Sequence, residues 1–392
     1  MHALIITFNN LVTTRHKLMV RSLKSRGWTI TFLGWDRGEG RSKSEDYRDL
    51  IDEFHWVNLP APTWSRKILA RLPQYYHRLQ QTLSATRDPN LVIITHIALL
   101  PWASWFSCPK IYDSFEFFSL GMASYFGPLE QLVWPLWRKL EALLVKQVDG
   151  VTTVDSRGDC LGRFFRQSVS NVQTIMNLSS RSDDPGSAAV EALKKKYASR
   201  QVIAFVGGRM TDRGLRVALE AAALVKDKHP DSLFIFIGTL EDDPAMVSHL
   251  IASHRLESHT LFLQWMHYRE MLAHLHHCRI GLILYQPERN KPYVGSGGGR
   301  KSFTYMQAGI PIVAPDFGDI GAIIKEEHCG ILTDSTSSAA VAQGIMHLLE
   351  NPETAAAMGR RGREAFLRKY NWELEEKKFL NFVEKIVNNG LD

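Results

Sequence analysis

Long apolar runs are missing from this chain. The nearest to one, Leu91 to Phe106, is broken by His96 and Pro101, so nothing has the length of a membrane-crossing helix. Cysteine is scarce: four residues in 392 (Cys108, Cys160, Cys278, Cys329), widely spaced and without metal-ligand rhythm. That argues against a disulfide scaffold or a zinc module and for buried thiols in a reducing compartment. No Asp-x-Asp pair occurs, so a metal-chelated diphosphate is not suggested. The net charge of +6 favours an anionic partner, but no nucleic-acid-binding module is present, and a nucleic-acid partner is not expected.

What is present is an alternation of short apolar runs and amphipathic stretches, in a composition 45% hydrophobic and 22% charged. This predicts βα units and parallel sheets in a chain long enough for two cores. The first residues, Ala3–Thr7, already read as a strand, with no signal peptide before it, so a cytoplasmic location is expected. A helix over Thr14 to Arg26 and a strand over Thr29–Leu33 follow. Further strands are expected at Leu91–Thr95, around Ile111 and at Val151–Val154. Residues 177–199 become polar and turn-rich and read as a linker. Beyond it the alternation restarts with Val202–Val206, Leu233–Ile237, Leu261–Gln264 and Ile280–Tyr285, each a predicted strand.

Polar groups gather at the carboxyl ends of these strands, where open α/β sheets bind ligands. In the first half they are Asn10 and Arg15, His96, the pair Asp113 and Glu116, and Asp155-Ser156. Each has a structural alternative: a cap, a surface residue or a packed histidine. From Phe54 to Arg87 the sequence holds no aspartate or glutamate, but it holds Trp56, Trp64, Arg66, Lys67, Arg71, Tyr75, Tyr76, Arg78 and Arg87. Such a stretch suits a membrane surface or a lipid-linked phosphate. It equally suits an amphipathic helix with packed aromatics and solvated arginines. A second basic-aromatic stretch is Trp134 to Lys139. His274, His276, His277 and Cys278 are spread around a helix, do not converge, and give no metal site.

The most informative segment is Gly295-Ser296-Gly297-Gly298-Gly299-Arg300-Lys301-Ser302, between a strand and a short helix. Glycines let a backbone approach a bulky ligand, and unpaired amides at a helix start, with Arg300 and Lys301, suit phosphate. The string is not a P-loop, because the glycine before the lysine is absent. A plain glycine-rich linker is the alternative. A second phosphate-type turn is Gly207-Gly208-Arg209 to Arg213-Gly214.

On these residues the chain resembles the GT-B glycosyltransferases, the large retaining class called family 4. Val206-Gly207-Gly208-Arg209 through Arg213-Gly214-Leu215 is similar to that family's diphosphate turn. Phe262 to Trp265 with His267-Tyr268 resembles the stretch beside the nucleotide base. Lys301 to Met306 with Gly309-Ile310-Pro311 resembles the family's helix-and-strand motif, Tyr112 to Glu116 an acceptor-side element, and Tyr370 to Glu373 the start of the last helix. The sequence departs from the family at Thr304 and Ser296, where carboxylates for the ribose are expected, and at Phe115 in place of histidine. A hydroxyl in place of a carboxylate costs about 1–2 kcal/mol of binding.

The resemblance implies an α/β, GT-B fold: two Rossmann-like doubly wound domains facing a cleft. An acceptor-side domain over 1–176 and a nucleotide-sugar domain over 200–371 would flank the linker, with 372–392 crossing back. It implies a retaining, metal-independent hexosyltransferase with no cofactor beyond its nucleotide-sugar co-substrate, UDP- or GDP-linked. Arg209, Arg213 and Lys301 would hold the diphosphate, with Gly207, Gly208, Gly298 and Gly299; Thr304, Trp265, His267 and Tyr268 would hold the nucleoside. Asp113, Glu116 and His96 would orient an acceptor, whether glycan, lipid-linked or small molecule, of cell-envelope or exopolysaccharide type. Membrane contact through Phe54 to Arg87 would place the protein on the inner face of the membrane. Competing readings are a GT-B sugar-nucleotide epimerase and a non-catalytic partner subunit.

Overall fold

The computed structural model describes residues 1–9, 12–38, 49–61, 66–154, 160–207, 213–240, 243–287 and 300–389. By its internal contacts the chain divides into two units, residues 1–177 with 373–392, and residues 178–372.

The first unit is built on the short apolar runs β1 (His2–Ile6), β2 (Thr29–Asp36), β3 (Glu53–Asn58), β4 (Leu91–Ile94), β5 (Lys110–Asp113), β6 (Gly150–Thr153) and β7 (Val172–Thr174). They form one sheet in the order β3-β2-β1-β4-β5-β6-β7, parallel throughout. β1, β4 and β6 are buried along their whole length, as a sheet covered on both faces requires. The strand order reverses between β1 and β4, which opens a crevice at their carboxyl ends. The final helix, Trp372–Asn389, joins this unit from Glu373 onward, with Phe382 and Ile386 against Gly150. Its Glu375 carboxylate accepts the Met176 amide at 2.8 Å.

The second unit repeats the plan with β8 (Gln201–Val206), β9 (Ser232–Ile237), β10 (Thr260–Leu263), β11 (Cys278–Leu282), β12 (Ile312–Pro315) and β13 (Gly330–Thr333). The order is β10-β9-β8-β11-β12-β13, again all parallel, and the reversal lies between β8 and β11. Phe205, Phe234, Phe236 and Leu282 fill its core.

The polar stretch 177–199 is folded rather than an open linker. From residue 178 on it counts with the second unit, and its helix Ser187–Tyr197 ends in a buried tyrosine whose hydroxyl lies 2.6 Å from His274 Nδ1. The Gln307 side-chain amide donates to the carbonyls of Ser180 and Asp183. Polar composition resembled a linker because these anchors come from residues far along the chain. His277 bonds the Val190 carbonyl and the Cys278 thiol donates to that of His274, which accounts for the histidine-rich run. No helix among the described residues is long and apolar enough to cross a membrane.

Candidate functional site

In the second unit the site begins with a tyrosine. The helix Arg300–Ala308 follows the loop after β11, and its Tyr305 is fully buried. The Tyr305 hydroxyl accepts the Val206 amide at 3.1 Å and faces the carbonyls of Ala204 and Leu282 at 3.2 and 3.1 Å. Gly281 makes room for the ring, since a Cβ there would come within 2.5 Å of it. One side chain thus fastens the helix to β8 and β11, the two strands that flank the crevice.

This fastening delivers Lys301. Its ammonium arrives above Gly207, the residue after β8, where the backbone turns with φ +137°. A Cβ on Gly207 would sit 2.7 Å from Lys301 Nζ and 2.8 Å from Arg213 Nη1, so glycine is needed for both its conformation and its bareness. The two cations meet over one backbone carbon. Lys301 is only 8% exposed, with Nζ 5.3 Å from the Phe205 ring centre and 5.1 Å from that of Tyr285. Arg213 lies 5.9 Å from the same Tyr285 ring. Among the described residues no carboxylate stands within ion-pair distance of either cation. Burial, and then Arg213, hold the Lys301 ammonium well below the ordinary lysine range.

Two of the expected nucleoside contacts are engaged internally. The Thr304 hydroxyl donates to the Arg300 carbonyl at 3.0 Å, and Thr304 is 4% exposed. The Tyr268 hydroxyl lies 2.9 Å from Ser179 Oγ, 2.8 Å from Gln307 Oε1 and 3.4 Å from Thr304 Oγ1. Tyr268 therefore ties the helix Arg300–Ala308 to Ser179 at the start of the unit, while Thr304 is bonded within the helix. Trp265 and His267 lie beyond the end of β10, their rings edge to face at 5.1 Å and Trp265 49% exposed. Arg209, Gly208, Gly298, Gly299 and Ser296 lie outside the described residues.

The first unit corrects the assignment of Asp113. This carboxylate is fully buried and receives Arg15 through Nε at 2.9 and 3.1 Å and Nη2 at 2.8 Å. Thr152 donates to it at 2.6 Å, and Arg15 Nη1 reaches the Ile175 carbonyl at 2.7 Å. Asp113 and Arg15 therefore form an internal bolt, and neither is placed to orient an acceptor. Glu116 is exposed, and its backbone carbonyl accepts the Ser114 hydroxyl and the Phe118 amide. His96 lies at the end of β4, its ring stacked on Phe8 at 4.4 Å and 4.7 Å from Phe118. Its Nδ1 accepts the Ala98 amide, so the neutral ring carries its proton on Nε2. Burial, and then Arg37, lower its pKa to about 3. His96 can therefore donate a hydrogen bond but is poorly suited to act as a base near neutrality. Asn10, Asp155 and Ser156 lie outside the described residues.

In the segment from Phe54 to Arg87, Tyr75 is buried while Phe54, Trp56 and Tyr76 are half-buried. Trp56 stacks on Phe54, Tyr75 is fully buried against Trp35, and the Tyr76 hydroxyl donates to the Ala98 carbonyl. Lys67, Arg71, Arg78 and Arg87 are exposed, while Trp64 lies outside the described residues. Composition reported the cations and rings but not which way each pointed. Three contributors escaped the sequence reading: Tyr285 beneath the cations, the Tyr305 fastening, and Glu141, whose buried carboxyl receives the Tyr112 hydroxyl at 2.7 Å. Tyr305 had a signal, a lone tyrosine in a short helix opposite a strand glycine; the others had none.

Residues 186–365 match the family described as "Glycosyl transferases group 1". The chain is 22% identical over 211 residues to the uncharacterized glycosyltransferase YqgM of Bacillus subtilis, covering 53% of this chain and 56% of that protein. It spans between 56% and 64% of the length of the curated relatives it matches. In structure it is similar to sucrose-phosphate synthase of Thermosynechococcus elongatus, with a TM-score of 0.75 at 15% identity and 99% of each chain covered. It is also similar to Anabaena HepE in complex with UDP-glucose, with a TM-score of 0.73, 15% identity, and 98% of this chain and 100% of that one covered. Two parallel-sheet Rossmann-like units with these likenesses make the architecture GT-B.

Proposed function

We propose that this chain transfers a sugar from a nucleoside-diphosphate sugar to an acceptor hydroxyl, with retention of anomeric configuration and without a metal. The observation that carries the reading is the apposition of a buried Lys301 and a half-buried Arg213 above Gly207, with no carboxylate partner among the described residues. Two unneutralised cations held together, one of them buried, are costly unless an anion joins them, and a diphosphate supplies the matching charge. HepE, a structural neighbour, was solved with UDP-glucose, which favours a uridine diphosphate donor here.

In this reading the ammonium and guanidinium bind the diphosphate and stabilise the charge that grows on it as the sugar–phosphate bond breaks. The acceptor oxygen bonds to the anomeric carbon on the face that the phosphate leaves. Its proton passes to the departing phosphate oxygen, so no side-chain base is required. Trp265 and His267 sit at a strand end where a base could stack, and His96 offers an Nε2–H to an acceptor oxygen. The acceptor belongs to the class of glycans, lipid-linked sugars or small alcohols.

The test is nucleotide binding by calorimetry with Arg213→Ala, alongside transfer from UDP-sugars. Loss of UDP affinity by about 10–100-fold is expected, the worth of one or two charge-assisted hydrogen bonds. Near wild-type binding and transfer would remove the diphosphate assignment.

A further inference from the structure

The helix Glu130–Leu144 buries the wrong side for an ordinary surface helix. Leu132, Leu136, Leu140 and Leu143 are 73%, 63%, 41% and 62% exposed, and Leu129 just before them is 57% exposed. Their spacing of three, four, four and three residues puts all five on one helical face about 20 Å long. The inward side is held by other residues: Glu141 is 1% exposed, and Trp137 and Leu144 pack on the core of the first unit. Half of the large exposed apolar side chains among the described residues lie in this one stripe, so scattered surface leucines do not explain it.

Charge is distributed to match. Lys139 and Lys146 are exposed, and helical spacing sets them along one edge of the leucine face. Arg138 is exposed as well, its guanidinium over the Phe164 ring at 4.6 Å. The helix has two acids. Glu141 is buried, and Glu130 falls on the side away from Leu132 and Leu136. Trp105, 45% exposed, ends the turn Ile97–Trp105, which packs against this helix.

We propose that the leucine face of Glu130–Leu144 docks this protein on an anionic lipid bilayer, lying flat in the interface with Lys139 and Lys146 at the headgroups. Leucines on one face, lysines at the edge and a tryptophan nearby are the recipe of an interfacial helix. A second copy of the chain is a poorer occupant. Two-fold pairing of these faces would oppose lysine to lysine with no exposed acid between them, whereas anionic headgroups supply the complementary charge. The proposal stands apart from the transfer reaction and moves the membrane-facing surface away from the Phe54 to Arg87 segment.

Flotation of the full chain with phosphatidylcholine vesicles, with and without about 30% phosphatidylglycerol, tests it. Binding to the anionic vesicles is expected, weakened by salt. Leu132→Glu with Leu136→Glu should lower partitioning by at least about tenfold while circular dichroism and Tm stay unchanged, since both side chains are exposed. Lys139→Glu with Lys146→Glu should lower it severalfold and remove the preference for anionic lipid. Wild-type protein that floats with neither vesicle, or leucine variants that bind like wild type, would overturn the proposal. So would a dimer in sedimentation velocity that the leucine variants abolish while vesicles bind nothing, which would assign the face to a second copy.

Discussion

The two units place a cation in corresponding positions and treat it in opposite ways. In the first, Arg15 on the helix after β1 is closed off by Asp113, which ends β5. In the second, Arg213 just before the helix after β8 is joined by another cation, Lys301, and the corresponding strand β12 ends in Pro315. The same topology yields a structural bolt where a carboxylate is supplied and, where it is withheld, the cation pair for which an anion is proposed. Charge alone does not mark a binding site; the missing partner does.

The sharpest way to break this contrast is to withhold the partner in the first unit. Asp113→Ala leaves Arg15 buried and uncompensated, and a loss of about 3–5 kcal/mol is expected, read as a large drop in the urea midpoint. A mild effect would mean that Arg15 is not held as tightly as its three contacts imply. The converse change is Lys301→Met in the second unit. It removes a buried charge, so apo stability should hold or rise by about 1–2 kcal/mol while UDP affinity falls about 10–100-fold. The pH dependence follows the same sign. With its folded pKa depressed, Lys301 is more readily protonated in the unfolded chain, so apo stability should increase as pH rises toward the ordinary lysine pKa. Lys301→Met should flatten that rise.

How much of this could be read in advance divides along the same line. The strands were legible because apolar runs bounded by glycine and polar turns permit few other readings. The Gly207–Arg213 and Lys301 segments were legible because their glycines and cations are close in sequence. The Arg15–Asp113 pair was not, because 98 residues separate partners whose meeting depends on the completed sheet. The internal bonds of Tyr268 were hidden for a related reason, since Ser179 and Gln307 engage its hydroxyl from distant positions. The leucine stripe of Glu130–Leu144 shows another limit. Its period is plain in the sequence, but whether leucines or tryptophans face the core is settled by what the helix packs against.

Glu141 sharpens the comparison from within the first unit, as a buried acid with no ion pair among the described residues. Burial raises its carboxyl to about 7, opposed by hydrogen bonds from Tyr112 and Ser119. A folded pKa above the unfolded value of 4.5 means the folded chain holds this proton more tightly. Stability should therefore fall as pH rises from 4.5 to about 7 and then level off. Glu141→Gln, which keeps an acceptor for Tyr112, should remove the slope and add about 1–3 kcal/mol at pH 8, measured by urea titration across pH. A slope unchanged by the substitution would place the titrating group elsewhere.

The smallest expected effect separates His96 from the cations of the second unit. In the proposed reaction Lys301 and Arg213 would act by charge, whereas His96, with its pKa lowered to about 3, would contribute only the proton on Nε2 at neutral pH. Its nitrogen-15 resonances should therefore show no titration between about pH 5 and 8, the range in which an unperturbed imidazole changes charge. In a transfer assay His96→Gln keeps an N–H donor and should stay within about threefold of wild type. His96→Ala should lose about tenfold in kcat/KM, the worth of one hydrogen bond to a substrate oxygen. If instead His96→Gln were as damaged as His96→Ala and the wild-type rate followed an ionisation near pH 6–7, the imidazole would be acting as a base. The first unit would then contribute a proton acceptor, and its difference from the second could no longer be described by charge pairing alone.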